Sequence, residues 1–521
     1  MRPNIIIVMT DQHRADLRKG AGYSIDTMPF LDEWSKGGAD FLRAYTPNPT
    51  CVPARVSMFT GRYPQTHRAR TNHNTVDALY TEDLLDLLRA QGYISALCGK
   101  NHSHRKNEEF DYYRTNGHVG GCSYPLDESQ KEFDAFMRGA NKGASDGLAP
   151  GGAELQYPFR NVTHSLDFID NHTGGKPFFL WLSFAEPHGP YQAPAPYFDM
   201  FPPESLPAAA GEDIPPELKG RRFKWAKDML EKAAGGDTAG IGMKEKTLRM
   251  RSNYHGMLRL IDDQFKRFVN ALSERRILED TLIIFLSDHG DFAGEYGMMR
   301  KGPDLPEVLT RIPMVWRGPG VTPQGAVDGC FVNTVDILPT LCDMLKLESP
   351  FGCQGKSILP LLAGKDIPEN EFDCAYSESG YGGLYWDGDD ALDPAAEGAL
   401  SNGNFDALNT WTQCGQVRML RKGDYKIQLD MLGAGYLYDI KNDPAELKNL
   451  WDDAGALSIR ADMLTALSAV MMRNTDPIPA PHNRYRIKTH PKGYWRQKYH
   501  ESDASMTKTP PLWRIAKKEH D

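Results

Sequence analysis

Thr50-Cys51-Val52-Pro53-Ala54-Arg55, running on into Val56-Ser57-Met58-Phe59-Thr60-Gly61-Arg62, is the stretch that decides how this chain is read. A Pro two residues after a Cys, then a helix-compatible run, then Gly, predict a helix over about residues 53–60. Pro suits the first helical turn and Gly the stop. Cys51 then sits just before a helix N-terminus, where unpaired N–H groups and the helix dipole favour an anion. Arg55, on the first turn, can aim a fixed positive charge at the same place. A reactive side chain, an anion hole and a guanidinium suit an enzyme that attacks a tetrahedral oxyanion ester. The same residues also fit a buried cysteine in a turn before a helix.

Four apolar runs elsewhere predict strands buried on both faces, and each ends in residues that carry chemistry. Residues 4–10 end in Asp11-Gln12, and residues 93–98 in Gly99-Lys100-Asn101-His102. Residues 176–184 end in Ala185-Glu186-Pro187-His188, and residues 281–287 in Asp288-His289-Gly290-Asp291. In open α/β sheets ligands collect at the carboxyl ends of the strands. A carboxylate there is a candidate hard-metal ligand. Lys100 and His102, two apart, can both face a strand end, a cation to hold an oxyanion and an imidazole to handle a proton.

Between these runs, helices are predicted over residues 31–38, 83–91 and 158–171, with a long amphipathic one over 248–278. Residues 110–155, rich in Gly, Asn and Asp, read as an inserted excursion of the kind that shapes specificity. Asn72 lies in a polar loop. Residues 311–316 form a further strand, and a helix starts at 333–341. From about Phe372 the texture changes. Residues 378–412 read as a surface loop or as a lid with aromatic contacts. Residues 416–429 and 435–439 read as paired strands, and 444–472 as helical. The tail from Arg484 carries ten Lys/Arg against four Asp/Glu with aromatics interleaved. It reads as an extended arm on its own domain or on a second copy of the chain, the route to a homo-oligomer.

At 521 residues the chain is too long for one simple core, so a large domain and a smaller one are expected. A net charge of −9 argues against a general nucleic-acid binder. No signal segment opens the chain, and no apolar run approaches the roughly 18 residues of a membrane span. A cytoplasmic protein without membrane contact is therefore expected. The eight cysteines, at 51, 98, 122, 330, 342, 353, 374 and 414, show no Cys-x-x-Cys pairs and form neither a zinc site nor a disulfide framework.

Cys51-x-Pro53-x-Arg55 followed by Thr60-Gly61-Arg62 resembles the signature of the type I sulfatases of the alkaline phosphatase superfamily. The commonest family pattern has Ser where this chain has Ala54. Asp11-Gln12, Gly99-Lys100-x-His102, His188 and Asp288-His289-Gly290 stand in the family's order, with Asn101 where Trp is usual. The resemblance implies an α/β sandwich with a large mixed central sheet flanked by helices over residues 1–370. It implies a smaller α+β C-terminal domain over 371–521.

The resemblance also implies that Cys51 is oxidised to formylglycine by a maturation enzyme. Asp11, Gln12, Asp288 and His289, with residue 51, would hold one divalent cation, Ca²⁺ by family habit, with His289 leaving Mn²⁺ or Mg²⁺ open. Arg55, Lys100 and Lys301 would neutralise sulfate oxygens. His188 would protonate the leaving oxygen, His102 would serve as a base, and Asn72 would touch substrate. The implied reaction is hydrolysis of a sugar or aryl sulfate ester. A phosphonate monoester or phosphodiester hydrolase is the nearest rival, since it shares the formylglycine elbow and the Asp-Gln/Asp-His set but tends to lack Gly-Lys-x-His. A non-catalytic binding protein on the same fold is the rival from another class.

Overall fold

The computed structural model describes residues 2–140, 143–171, 176–220, 239–380 and 415–475 except 303, 366, 368 and 369, together with 223, 224, 226 and 227. The first half is built around a run of isoleucines. β1 (Asn4–Asp11) buries Ile5, Ile7 and Met9 on one face of a sheet and Ile6 and Val8 on the other. This is the period-2 alternation of a strand covered on both sides. α1 (Pro29–Ser35) starts on a Pro and leads to the short β2 (Ala39–Phe41). α2 (Cys51–Thr60) follows, then α3 (Leu84–Ala90) and β3 (Ile94–Gly99).

The excursion expected over 110–155 contains regular structure. β4 (Tyr112–Thr115) adds an edge strand to the main sheet, and α4 (Glu128–Ala140) follows it. α5 (Tyr157–Asn171) and β5 (Phe178–Pro187) come next. α6 (Ala239–Glu274) begins earlier than its apolar stripe of Leu258, Ile261, Phe265, Phe268 and Leu272, which packs on the sheet. That spacing of three and four residues is the amphipathic helical period. β6 (Thr281–Ser287) and β7 (Met314–Arg317) complete the centre, with β8 (Gly325–Val327) at the far edge. The strand expected over 311–316 is two pieces, because Pro313 lacks an N–H and interrupts the ladder. Arg311–Ile312 joins a separate three-stranded sheet with Ala44–Tyr45 and Val332–Asn333.

The main sheet runs β8-β2-β7-β6-β1-β5-β3-β4. It is mixed. β6, β1, β5, β3 and β4 are mutually parallel, whereas β7 is antiparallel to β6. The five parallel strands therefore deliver their carboxyl ends to one edge, and the residues after them converge there.

α7 (Ile337–Met344) closes the large core. A further, wholly antiparallel sheet is formed by β9 (Cys374–Ser379), β10 (Val417–Lys422), β11 (Tyr425–Asp430) and β12 (Gly435–Asp439). α8 (Leu457–Thr475) lies on it through Met463, Leu467 and Val470. The segment Ala454–Thr475 is long and apolar enough, by length and composition, to cross a membrane, which the sequence reading did not anticipate. Its buried face rests on Leu420, Ile427 and Leu437 of the sheet. Most of the lid expected at 378–412, and the basic tail from Arg484, lie outside the described residues.

The C-terminal sheet is tied to the short helical turn Glu307–Thr310, which leads into Arg311, by a buried charge cluster. Lys426 of β11 lies 3.3 Å from Glu307 and 2.9 Å from Glu446, and all three are buried. Burial pushes the Glu307 carboxyl up, but Lys426, Arg421 and Arg311 outweigh it and hold the pKa below the ordinary value of 4.5. Glu307 therefore contributes stability above about pH 4.5 that is lost as pH falls through its folded value. Lys426→Met strands two buried carboxylates and should cost about 3–5 kcal/mol near neutral pH. The difference in urea midpoint between the two proteins should narrow at acid pH. A difference that is constant from neutral to acid pH would contradict this reading.

Candidate active site

Cys51 is the first residue of α2 rather than the residue before it, with Thr50 in extended conformation as the cap. Pro53 falls in the first turn, where an N–H would have no intrahelical partner. Asn72 Oδ1 accepts the Val52 N–H at 3.1 Å, so Asn72 caps the helix that carries the cysteine. Gly61 ends the helix at φ 63°, in the left-handed region.

Arg55 does not point at an open anion site. Its guanidinium donates to Asp11 Oδ2 at 2.9 Å through Nη2 and to Asp288 Oδ2 at 2.9 Å through Nε. Nη1 meets the carbonyls of Lys100 and Asn101 and the Ser183 hydroxyl at 3.0–3.1 Å. One fully buried side chain thus links the ends of β1, β6 and β3 to Ser183 within β5. The sequence reading aimed Arg55 at sulfate; the structure spends its donors on the carboxylates and the loops.

Asp11, Cys51, Asp288 and His289 place one ligand atom each within 4.8 Å of one another. The donor chemistry fits a divalent cation. Burial, with neighbouring Asp11, pushes the Asp288 carboxyl up, against His289 and Arg55. Burial also pushes Asp11 up, but Lys100, His188, Arg55 and His118 more than reverse this. His289 Nδ1 lies 2.9 Å from the Gly290 carbonyl, so that nitrogen carries the proton. Its Nε2 faces Cys51 Sγ at 3.3 Å.

Gln12 is oriented from behind. Its Nε2 donates to Asp291 Oδ2 at 2.5 Å and to the Tyr191 hydroxyl at 3.2 Å, which turns Oε1 toward Lys301 Nζ at 3.5 Å. Asp291 Oδ1 also accepts the Ala293 and Arg300 N–H groups, fixing the turn that presents Lys301. Lys301 Nζ lies 3.1 Å from Cys51 Sγ. Burial and Asp11 push the Cys51 thiol up, but Lys100, Lys301 and His289 outweigh them and bring its pKa well below the ordinary value. Gln12 (φ 66°), His102 (φ 48°) and Arg300 (φ 66°) are non-glycine residues in left-handed conformation. Each costs about 1–3 kcal/mol, which the packed surroundings offset.

Lys100 donates to Asp11 Oδ2 and lies 2.8 Å from His118 Nε2. The loop that carries it is tied by Arg105, which grips Asp83 Oδ2 at 2.8 Å and Oδ1 at 2.7 Å at the start of α3. Asn101 is part of this tie, donating to the Arg105 carbonyl and Asn107 Oδ1 at 2.8 Å. His102 is within hydrogen-bonding reach of Cys51, and burial followed by Lys100 lowers its pKa. His188 Nδ1 donates to the Gly189 carbonyl at 2.7 Å, and its ring stacks on His118 with centroids 3.7 Å apart.

The structure therefore brings together Asp11, Gln12, Cys51, Arg55, Lys100, His102, His188, Asp288, His289 and Lys301, with Asn72 at the helix start. Three residues were missed by the sequence reading. His118 follows β4, whose Tyr112-Tyr113-Arg114-Thr115 has strand-favouring composition and was absorbed into the supposed excursion. Asp291 stands inside the quoted Asp-His-Gly-Asp motif without a role. Tyr191 carries no local signal, because it acts only through contacts made in three dimensions.

A buried cysteine at a helix N-terminus, among paired carboxylates and lysines at the carboxyl edge of a mixed sheet, defines a hydrolase site for tetrahedral oxyanion esters. The sequence matches the sulfatase family model over residues 3–347, and the chain belongs to that family of sulfuric ester hydrolases. It is 30% identical to an arylsulfatase of Clostridium perfringens over 390 residues, covering 70% of this chain and 79% of that one. Its fold is similar to a phosphonate monoester hydrolase of Agrobacterium radiobacter, with TM-score 0.72, 24% identity and coverage of 91% and 96%. It is similar also to BT4656 in complex with its substrate D-glucosamine-2-N,6-O-disulfate, with TM-score 0.68, 18% identity and coverage of 91% and 99%. The architecture is the alkaline-phosphatase-like one.

Asp291→Asn replaces an acceptor of two side-chain bonds by an amide that competes with Gln12 for orientation. If Gln12 joins Asp11, Asp288 and His289 around a divalent cation, affinity for that cation, read by calorimetric titration, should fall about 10–100-fold, the usual cost of removing a group that orients a ligand. Unchanged affinity would show that Asp291 does not set the Gln12 amide.

Proposed function

We propose that this chain is a formylglycine-dependent sulfatase that uses one divalent cation, calcium by family habit, to hydrolyse an aryl or sugar sulfate ester. The observation that supports this most is the setting of Cys51. It sits at a helix N-terminus with Lys301 at 3.1 Å, His289 at 3.3 Å and Asp11 at 3.8 Å. A maturation enzyme would convert Cys51 to formylglycine, whose hydrate supplies the attacking hydroxyl. Asp11, Gln12, Asp288 and His289 would hold the cation, which supplies Lewis-acid polarisation and makes a hydroxyl more acidic.

The chain's own residues do the rest. Lys100 and Lys301 bring two ammonium groups to the sulfate oxygens, in a dry pocket where such charge counts most. Arg55 holds Asp11 and Asp288 in place and acts through them. His188, with Nδ1 committed to the Gly189 carbonyl, turns Nε2 to the departing alcohol oxygen and gives it a proton. His102, beside position 51, is placed to take a proton there as sulfate leaves. Asn72 fixes the start of α2 and, through it, the direction in which residue 51 points.

A second reading, a phosphonate monoester or phosphodiester hydrolase, draws on Gln12 and His289, which that group shares. Lys100 and His102 favour the sulfatase. Turnover of 4-nitrophenyl sulfate and of an aryl phosphonate monoester by matured enzyme separates the two. The sulfate should be preferred at least about tenfold in kcat/KM, a difference of 1.4 kcal/mol. The reverse order would assign the second reading.

The acid role of His188 has its own test. His188→Ala should slow hydrolysis of an alkyl sulfate by about 10²–10⁴-fold. The loss on 4-nitrophenyl sulfate should be much smaller, since that leaving group needs little protonation. Equal losses on both substrates would remove His188 from the proton step.

A further inference from the structure

His118 stands beside the reacting groups, and the reaction above gives it no part. It lies in a tight loop just after β4. The Ser123 N–H donates to the Thr115 carbonyl at 2.8 Å and the Gly117 N–H to the Gly120 carbonyl at 2.7 Å, so the loop is closed twice around the histidine. The Asn116 N–H meets the Gly99 carbonyl at 3.3 Å, which pins the loop to the end of β3, one residue before Lys100. Behind it, Gly120 (φ 100°) comes so near α4 that a Cβ would meet Arg138 at 3.0 Å and Asp134 at 3.1 Å.

The ring makes two contacts of different kinds. Its face lies on the His188 imidazole, with centroids 3.7 Å apart and an interplanar angle of 21°. Its edge meets Lys100, with Nε2 2.8 Å from Nζ. An ammonium only donates, so Nε2 accepts and the ring proton sits on Nδ1. That nitrogen is buried with no hydrogen-bond partner among the described residues. A buried donor left unbonded is unfavourable, so the residue is placed for its face and for Nε2 rather than for Nδ1. Burial, then His188 and Lys100, hold its pKa well below the ordinary imidazole value, and the ring stays neutral. A neutral ring can lie against a protonated His188, whereas a second imidazolium would repel it.

Each contact completes the placement of a group that the hydrolysis uses. The bond from His188 Nδ1 to the Gly189 carbonyl fixes one point of that ring, and the stacked face fixes its plane and so the direction of Nε2. Lys100 carries its charge on a flexible four-carbon stem. Asp11 Oδ2 and His118 Nε2 give its ammonium acceptors from the two sides of β3.

We propose that His118 is a positioning residue for the hydrolysis, its ring face setting the plane of the His188 imidazole and its Nε2 setting the place of the Lys100 ammonium. One side chain thereby aligns the proton donor on the leaving-group side with a cation on the sulfate side. The roles it aligns are those of the sulfatase reading, on which this inference rests.

Two variants separate the two contacts. His118→Gln keeps an acceptor for Lys100 and removes the ring face; His118→Phe keeps a ring face and removes the acceptor. Matured enzymes are compared on an alkyl sulfate, whose leaving oxygen needs a proton, and on 4-nitrophenyl sulfate, which needs little help. His118→Gln should lower kcat about tenfold on the alkyl ester and less than about threefold on the aryl ester, with KM nearly unchanged. His118→Phe should lower kcat/KM about tenfold on both, because the sulfate oxygens are the same in each. In a His188→Ala background the loss from His118→Gln on the alkyl ester should shrink below about twofold, since the contact it removes is already gone. A folding defect would lower both esters alike in either background. Equal losses from the two variants on each ester, a His118→Gln loss that persists beside His188→Ala, or wild-type rates in both variants would overturn the proposal. A failure of the sulfatase reading appears instead in the wild type, as absent sulfate turnover before any variant is compared, and the positioning role would fall with it.

Discussion

Arg55 bridges Asp11 and Asp288 across the carboxyl ends of adjacent parallel strands, and the rest of the site depends on that bridge. Both carboxylates and the guanidinium are fully buried. Two carboxylates brought that close in a dry interior repel each other and are costly to ionise. A planar guanidinium on the first turn of α2 meets one oxygen of each, while Nη1 ties the loop after β3 to Ser183 within β5. The helix that carries Cys51 is thereby docked onto the carboxylate pair by the same side chain. A lysine has one point charge and could not span these positions.

The sheet topology makes this convergence available. Five parallel strands end on one edge, so residues far apart in sequence, such as Asp11, Lys100, His118, His188 and Asp288, meet without any long loop reaching across the molecule. Backbone in the left-handed region at Gln12, His102 and Arg300 shows where the chain is bent against preference to aim a side chain. Behind the edge, Asp291 and Tyr191 orient Gln12, while Arg105 on Asp83 anchors the loop of Lys100. Preorganised charge of this kind does not need to reorganise when negative charge develops on a substrate.

Much of the fold was legible in the sequence because its central strands are buried on both faces. The run of Ile5 to Val8 and the run of Leu282 to Leu286 have no polar interruption, and each is punctuated by charged residues at the strand end. Position 51 was legible through Pro53 and Gly61, which bracket the helix. Three things were not legible. Pro313 was read through, although a missing N–H splits that strand between two sheets. β4 was hidden in a Gly- and Asn-rich context, and His118 with it. The direction of Arg55 could not be read from its place on a helical turn, since Asp11 and Asp288 reach it only through the parallel register of β1 and β6. Local pattern names the strands and their terminal residues. Which side chain spends its donors on which partner is decided by distances that exist only after folding.

The central claim is that Cys51 is the precursor of an aldehyde nucleophile and not a buried thiol. The direct measurement is a mass spectrum of the tryptic peptide spanning residues 44–55, from protein produced together with a working formylglycine-generating enzyme. The account predicts a peptide lighter by the change from thiol to aldehyde and reactive toward a hydrazide probe. An intact thiol at position 51, under conditions that convert a control sulfatase, would contradict it.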